Sequence, residues 1–403
     1  MKLICLSLRI CQIVDTLFQT LLQIWDPNLV PSNIPIFLKT FRFSSWTRMC
    51  LITFNGTQFQ ISSSLRDRFL AVFAISNLIL HFLLILNWFI YKYAFPSDVS
   101  PENWEIFSMI YFMVPFSTAI YFVIHCHLAK DEIMFMLKAT TWLETNCLER
   151  GSQSYVHRYF LAMGFLILST EILVPAALFV TSLHKPCMPP IISSLVVLNC
   201  TSWQDDGQAV IWFRVCVGLL EGYTWSVLCG VVSLSMYSSL LYPGEVLLEF
   251  TSLLEREIQT NIYSILKYRH IQILTQLRNN VWGGATMHVC IWTIYFVECL
   301  ALYVLISTKG RLPVPAMTLF SIVAFDLFII IQFLFKVLSN PGEKTCAFLM
   351  IMKRKKMSNW VRKYLQSCQP SKLTKGNGTY FSKVSSLVTW QNCVDWLIPL
   401  LLM

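Results

Sequence analysis

Seven ionisable side chains sit inside stretches otherwise built from hydrocarbon: His81, Glu171, Arg214, Glu221, His288, Glu298 and Asp326. Such groups are costly in lipid, so they should face a bundle interior or a water-filled cavity and find partners there. Arg214 and Glu221 are seven apart and share a helix face, while Glu171 falls in the preceding apolar block. An Arg214–Glu171 pair holding the outer bundle is one reading, and a polar contact to a ligand is the other. Catalysis needs acid–base or nucleophilic groups that converge. The sequence offers no Walker loop, dinucleotide fingerprint, His-Glu-x-x-His or nucleophile elbow. His125-Cys126-His127 does not read as a metal site, because adjacent residues on a helix point in different directions. The expectation is no enzyme, no cofactor and no metal.

A binding chemistry is better supplied. Aromatics crowd the outer halves of the apolar blocks: Tyr111, Phe112, Phe116, Phe179, Trp212 and Phe320. Together with Glu171 they are the candidate lining of a pocket for a small, mostly apolar molecule, since such sites combine aromatic walls with few polar groups. Core packing and interface anchoring are the competing explanation. Gly218, Gly222, Ser226 and Gly230 recur every four residues, which lets another helix backbone come close, from a second subunit or from the same bundle. Near the C-terminus, Asp395, Ile398 and Leu402 are spaced three and four apart and share a helix face. Repeated around an axis, they would place a ring of carboxylates beside apolar rings, the ingredients of a cation pore. The alternative is that Asp395 caps a short helix whose apolar residues pack inward, and Pro399 could turn Leu402 off the shared face.

The elements that must carry these residues follow from composition. Of 403 residues 55% are hydrophobic and only 13% charged, about half the charged fraction of a soluble domain. Six blocks are long enough to cross hydrocarbon as helices: Phe69–Tyr91, Trp104–Leu128, Tyr159–Ser182, Val210–Leu241, Ala285–Ile306 and Val314–Phe335. A seventh, Tyr380–Met403, has a polar first half. The predicted fold is an all-α polytopic membrane protein of seven transmembrane helices, with residues 1–68 an N-terminal region and 69–403 the membrane domain. Leu3, Leu6, Ile10, Ile13, Val14 and Leu17 keep helical spacing, which predicts an uncleaved amphipathic helix at the membrane surface.

Orientation comes from the basic residues. The segments before the first block and after the second, fourth and sixth hold most of them, including Lys353-Arg-Lys-Lys356, whereas the opposite loops hold Lys92, Lys185, Lys309 and Arg311. The N-terminus is therefore expected in the cytoplasm. The net charge of +9 reflects this bias and does not point to nucleic acid. Of the acceptor patterns at Asn55, Asn199 and Asn377, only Asn199 would face the lumen and carry glycan. Cys187 and Cys200 fall in one outer loop, either as a disulfide or as two thiols.

Seven spans with an inner N-terminus invert the orientation of G-protein-coupled receptors. That inversion, a long charged loop after the fourth block and a basic loop before a short last helix resemble the arthropod chemoreceptor superfamily of gustatory and odorant receptors. The likeness covers roughly residues 60–403. Leu234-Ser-Met-Tyr-Ser-Ser239 and the amphipathic Tyr268-Arg-His-Ile-Gln-Ile-Leu-Thr-Gln-Leu277 are similar to that family's segments at the same places. The Thr-Tyr pattern of gustatory receptors is not completed, since Thr379-Tyr380 continues Phe381-Ser-Lys-Val-Ser385. The resemblance implies a plasma-membrane receptor that is a ligand-gated, non-selective cation channel of four subunits, as a homo- or heterotetramer in the lipid bilayer. It further implies a small-molecule pocket among the second, third, fourth and sixth helices and a pore lined by the last. A G-protein-coupled receptor or a transporter is the alternative.

Overall fold

The computed structural model describes residues 34–56, 58–94, 103–148, 155–198, 200, 203, 207–260, 262–308, 314–355, 358–376 and 378–402. The expected helix around Leu3–Leu17 and the acceptor residues Asn199 and Asn377 lie outside them. The chain is all-α apart from one small hairpin. Helix α1 (Ile34–Trp46) is followed by strands β1 (Ile52–Phe54) and β2 (Phe59–Ile61). Then come α2 (Leu65–Ala94), α3 (Asn103–Leu128), α4 (Lys130–Cys147) and α5 (Tyr155–His184). Helix α6 (Ile211–Val232) runs through a widened turn, Ser233–Leu241, into α7 (Tyr242–Thr260). Helices α8 (Tyr268–Val281), α9 (Ala285–Ser307) and α10 (Val314–Ile329) follow, and α10 passes through Ile330–Leu334 into α11 (Phe335–Arg354). Helices α12 (Asn359–Ser367) and α13 (Ser385–Leu402) complete the chain.

Six of these helices are long and apolar enough to cross a membrane: α2, α3, α5, α6 with its continuation, α9, and α10 with its continuation. The final helix α13 has 18 residues and a polar first half. The fourth and sixth spans run well past the expected ends at Leu241 and Phe335. The fourth is continuous over Ile211–Ile258, 48 residues, or about 72 Å at 1.5 Å per residue, more than twice the hydrocarbon thickness. Beyond Leu241 the helix persists because Val246, Leu247, Phe250, Leu253, Leu254 and Ile258 keep one apolar face, which is buried by other helices rather than by lipid. Its neighbours there are α4, α8 and α11, with Lys344 bonded to Glu255 at 2.7 Å and Lys267 to Glu257 at 2.7 Å. Helices α4, α7, α8, α11 and α12 thus make a second layer at one end of the bundle.

Three local features were not legible as such. Asn55-Gly56, expected as a chance glycan acceptor, turns the β1–β2 hairpin: Gly56 holds φ +95°, and the Asn55 side-chain oxygen accepts from the Gln58 N–H at 3.0 Å. Phe37 of α1 stacks on Tyr242 with ring centres 4.1 Å apart, so the segment before the membrane is wedged against the start of α7. The segment between α12 and α13 docks on the second layer. Tyr268 donates to the Gln369 carbonyl at 2.8 Å, Asn279 donates to the Lys372 carbonyl at 3.0 Å, and the Ser371 N–H donates to Thr345 at 2.8 Å. Gly376, at φ +116°, lies directly on the His288 ring, where a Cβ would not fit. This strap fixes where the last helix begins.

Cys187 and Cys200 are disulfide-bonded. The small-residue stripe of α6 faces inward within the chain. Gly218 lies under the Phe179 ring of α5, Gly222 opposite the Pro175 carbonyl, and Gly230 beside Thr47 and Ser44; Ser226 is buried among them. It admits α5 and the end of α1, which accounts for the close spacing without a second subunit.

Candidate ligand-binding site

Between the long apolar helices lies a cavity of about 180 Å³. Five helices wall it: α3 from Tyr111 to Phe122, α5 from Met163 to Val174, α6 and its continuation from Trp225 to Met236, α9 from Cys290 to Val297, and α10 from Val323 to Ile330. Each helix contributes residues at three- and four-residue spacing, such as Tyr111, Pro115, Thr118 and Phe122, because a straight helix presents one stripe to a central space. The walls are chiefly hydrocarbon.

The polar groups are few and specific. Thr118 and Thr293 share a hydrogen bond of 2.8 Å between α3 and α9. Thr170 donates to Asp326 at 2.5 Å, joining α5 to α10. Glu171 is 1% exposed, and its carboxyl oxygens form no close hydrogen bond among the described residues, with only the Ser44 and Ser233 hydroxyls beside them. Trp225 is buried with its indole N–H also unpartnered. Among the described residues no lysine, arginine or histidine lines the cavity.

The candidate residues separate around this geometry. Tyr111 and Glu171 line the cavity. Phe112, Phe116 and Phe320 are fully buried beside it as an aromatic layer. Phe320 lies 4.6 Å from the Tyr111 ring and 5.8 Å from Phe112, while Phe116 meets Trp225 edge-on at 5.5 Å. Phe179 is spent covering Gly218, and Trp212 is 75% exposed at the start of α6; neither reaches the cavity. The space therefore lies deeper than the outer-half aromatics indicated, because those rings pack on one another and close its end. The fifth span, α9, also contributes a wall that the expected set of four helices omitted.

The Arg214–Glu171 pair does not form. Arg214 donates to the Ala209 carbonyl at 2.9 Å and the Leu183 carbonyl at 3.3 Å, tying the ends of α5 and α6 together. Glu171 lies twelve residues before Leu183, about 18 Å along α5. Glu221 instead meets His81 of α2. The rings of His125 and His127 each donate to a backbone carbonyl, of Val281 at 2.9 Å and Val123 at 2.8 Å, and among the described residues no group of histidine, cysteine or acidic side chains is arranged to hold a metal. Sequence reasoning named Asp326 as an intramembrane charge but gave it no role. Thr118, Thr170 and Thr293 carried no signal, since threonine is unremarkable in a membrane helix.

Helix α13 buries Ser385, Thr389 and Cys393 and packs on α9 at Cys393, with the Cys299 thiol donating to the Cys393 carbonyl at 3.1 Å. Asp395, Ile398 and Leu402 lie on the opposite side, exposed; Ile398 is 52% and Leu402 82% uncovered. Pro399 does not end the helix, which continues to Leu402.

No family model matches the chain, and no curated protein does. Solved structures do. The insect olfactory receptor OR5 from Machilis hrabei superposes with a TM-score of 0.62 at 12% identity, over 92% of this chain and 99% of that one. The same receptor in complex with eugenol gives a TM-score of 0.61 at 11% identity, over 91% and 97%. The chain has the fold of an insect olfactory receptor along nearly its whole length, so the likeness to the insect chemoreceptor superfamily holds at the level of the fold.

Proposed function

We propose that this chain is a subunit of a chemosensory receptor, a ligand-gated channel that passes cations with little selectivity when a small molecule occupies the cavity. The observation that carries the reading is the cavity itself: an apolar, five-helix chamber with a few polar groups, enclosed in the fold of an olfactory receptor. That receptor has been solved with eugenol, which favours a small organic ligand here as well.

The route from cavity to gate lies in α9. One face of that helix lines the cavity through Cys290, Ile294 and Val297, and the adjacent face holds α13 through Tyr295 and Cys299. A ligand that fits one position of α9 better than another shifts the population of α13 positions by its difference in affinity. Four subunits around an axis would bring their α13 helices together as the pore, with residues 69–403 forming the channel and residues 1–68 in the cytoplasm at the plasma membrane. Odorant-like and gustatory-like sensing both fit this arrangement.

The test is current recorded from the purified protein in a planar bilayer, with and without small aromatic and aliphatic compounds. Ligand-evoked single-channel openings are expected. Solute flux without openings would make the protein a transporter, and a G-protein response in cells without current would make it a receptor of that other class.

A further inference from the structure

The cavity that the proposed function rests on contains a feature an apolar ligand would leave unused. Glu171 is withdrawn from solvent, its carboxyl has no charged partner among the described residues and only the Ser44 and Ser233 hydroxyls beside it, and it lines the space between the helices. A buried acceptor without a donor is costly, and an intramembrane carboxyl normally finds a cation or a hydrogen-bond donor. The surroundings supply no cation: among the described residues no basic side chain lines the cavity, the donors beside the carboxyl are the neutral Ser44 and Ser233 hydroxyls, and Asp326, the other acid of the lining, already takes the Thr170 hydroxyl.

We infer that the cavity is built for a small amine, an aromatic or aliphatic body carrying one ammonium group that pairs with Glu171. Three physical points favour this class over a neutral compound. The ammonium brings charge-assisted donors, which the neutral hydroxyls beside the carboxyl cannot match. An amine entering as the free base takes the proton of the buried carboxyl, so the ion pair forms inside with no net charge added, and attraction between unlike charges is strong in this low-dielectric space. Asp326 adds negative potential from α10 without competing for position, because Thr170 holds it. The body of the ligand meets Tyr111, Phe122 and Trp225, whose rings give an aromatic wall and a favourable surface for a nearby cation.

This inference names the ligand class of the proposed receptor, and a binding measurement separates the two. Purified protein in lipid nanodiscs is titrated by calorimetry with 2-phenylethylamine and with 2-phenylethanol, which differ by an ammonium against a hydroxyl. The amine is expected to bind at least tenfold more tightly. In Glu171→Gln, which keeps shape and removes the charge, that preference should vanish while 2-phenylethanol binding stays within a few-fold of the original protein. Equal affinity of the two probes in the unaltered protein would overturn the inference even if Glu171→Gln failed to fold. So would an amine preference that survives Glu171→Gln. Either result leaves the receptor reading standing, which fails separately if neither probe nor any other small molecule evokes current.

Discussion

His81 and Glu221 face each other between α2 and α6, with His81 Nε2 3.3 Å from both carboxyl oxygens and both side chains fully buried. The other ring nitrogen donates to the Asn77 carbonyl at 2.9 Å. Glu221 also accepts from the Ile192 N–H at 2.8 Å, and Phe116 stacks on the imidazole with ring centres 5.2 Å apart. One buried imidazole–carboxyl contact therefore locks the first span, the fourth span and the loop after the third.

Removing one partner strands the other in a dry interior, which typically costs about 3–5 kcal/mol. Glu221→Ala should lower the thermal unfolding midpoint of the detergent-solubilised protein sharply, and Glu221→Gln should do so less, because the amide oxygen still serves Ile192. The His81→Ala/Glu221→Ala double variant should cost clearly less than the sum of the singles. Additive losses would mean that the two side chains are not coupled.

The small face of α6 is not uniform. A Cβ on Gly218 would lie 2.9 Å from the Phe179 ring, whereas a Cβ on Gly222 has the Pro175 carbonyl as its nearest neighbour at 3.9 Å. Gly218→Val should therefore reduce folded yield, at a cost of about 1–3 kcal/mol for overpacking, while Gly222→Ala should be nearly silent. Leu219→Ala, at an exposed position, serves as the control. Thermal unfolding of the three variants decides it; equal effects at 218 and 222 would show that the stripe is not graded in this way.

How much of this was readable beforehand depended on whether the answer lay along the chain or across it. The apolar blocks located the spans because lipid exposure is written into local composition, and the basic loops stood where the second layer of helices now lies. Helix ends were lost where hydropathy fell but an apolar face continued, as from Val246 to Ile258. Partners were lost because spacing within one helix says nothing of the rotation of its neighbour. Glu221 was visible as a buried charge, yet its partner His81 lies 140 residues away, and Arg214, one face along, satisfies itself on backbone carbonyls. The cavity shows the same limit: Tyr111 and Glu171 line it, while Phe112 and Phe320, equally aromatic and equally apolar in context, are used to seal it.

Arg278 presents the opposite case to Glu221. Its side chain is buried in the second layer, in contact with Gly244, and its Nε and Nη2 have no hydrogen-bond partner among the described residues. Burial pushes its pKa down to about 9 from 12.5. At neutral pH the group is charged in both folded and unfolded chains, so the folded state carries the cost of burying it. That deficit is present below pH 9 and shrinks as pH rises from there toward 12.5. Arg278→Met, which keeps the volume, should raise the unfolding midpoint at pH 7, by an amount equivalent to about 1–4 kcal/mol. A lowered midpoint would show that the guanidinium is paired in the assembled protein.

In α13, Ser385, Thr389 and Cys393 turn inward, and Asp395, Ile398 and Leu402 turn away, uncovered by the rest of the described chain. An exposed carboxylate between apolar side chains is poorly suited to lipid, where a charge near the hydrocarbon centre is costly. It is well suited to a water-filled axis shared by several copies, where acidic rings favour cations and apolar rings gate by excluding water. Asp395→Asn should lower the permeability of divalent relative to monovalent cations, because the ring loses its charge. Ile398→Ser should raise the ligand-free leak, because a hydroxyl wets the constriction. Both are read in mixed-ion recordings at matched surface expression, with Val394→Ser, one position aside and also exposed, as the control. Unchanged selectivity with unchanged leak would put the pore on another face of α13, and a leak from Val394→Ser alone would identify that face.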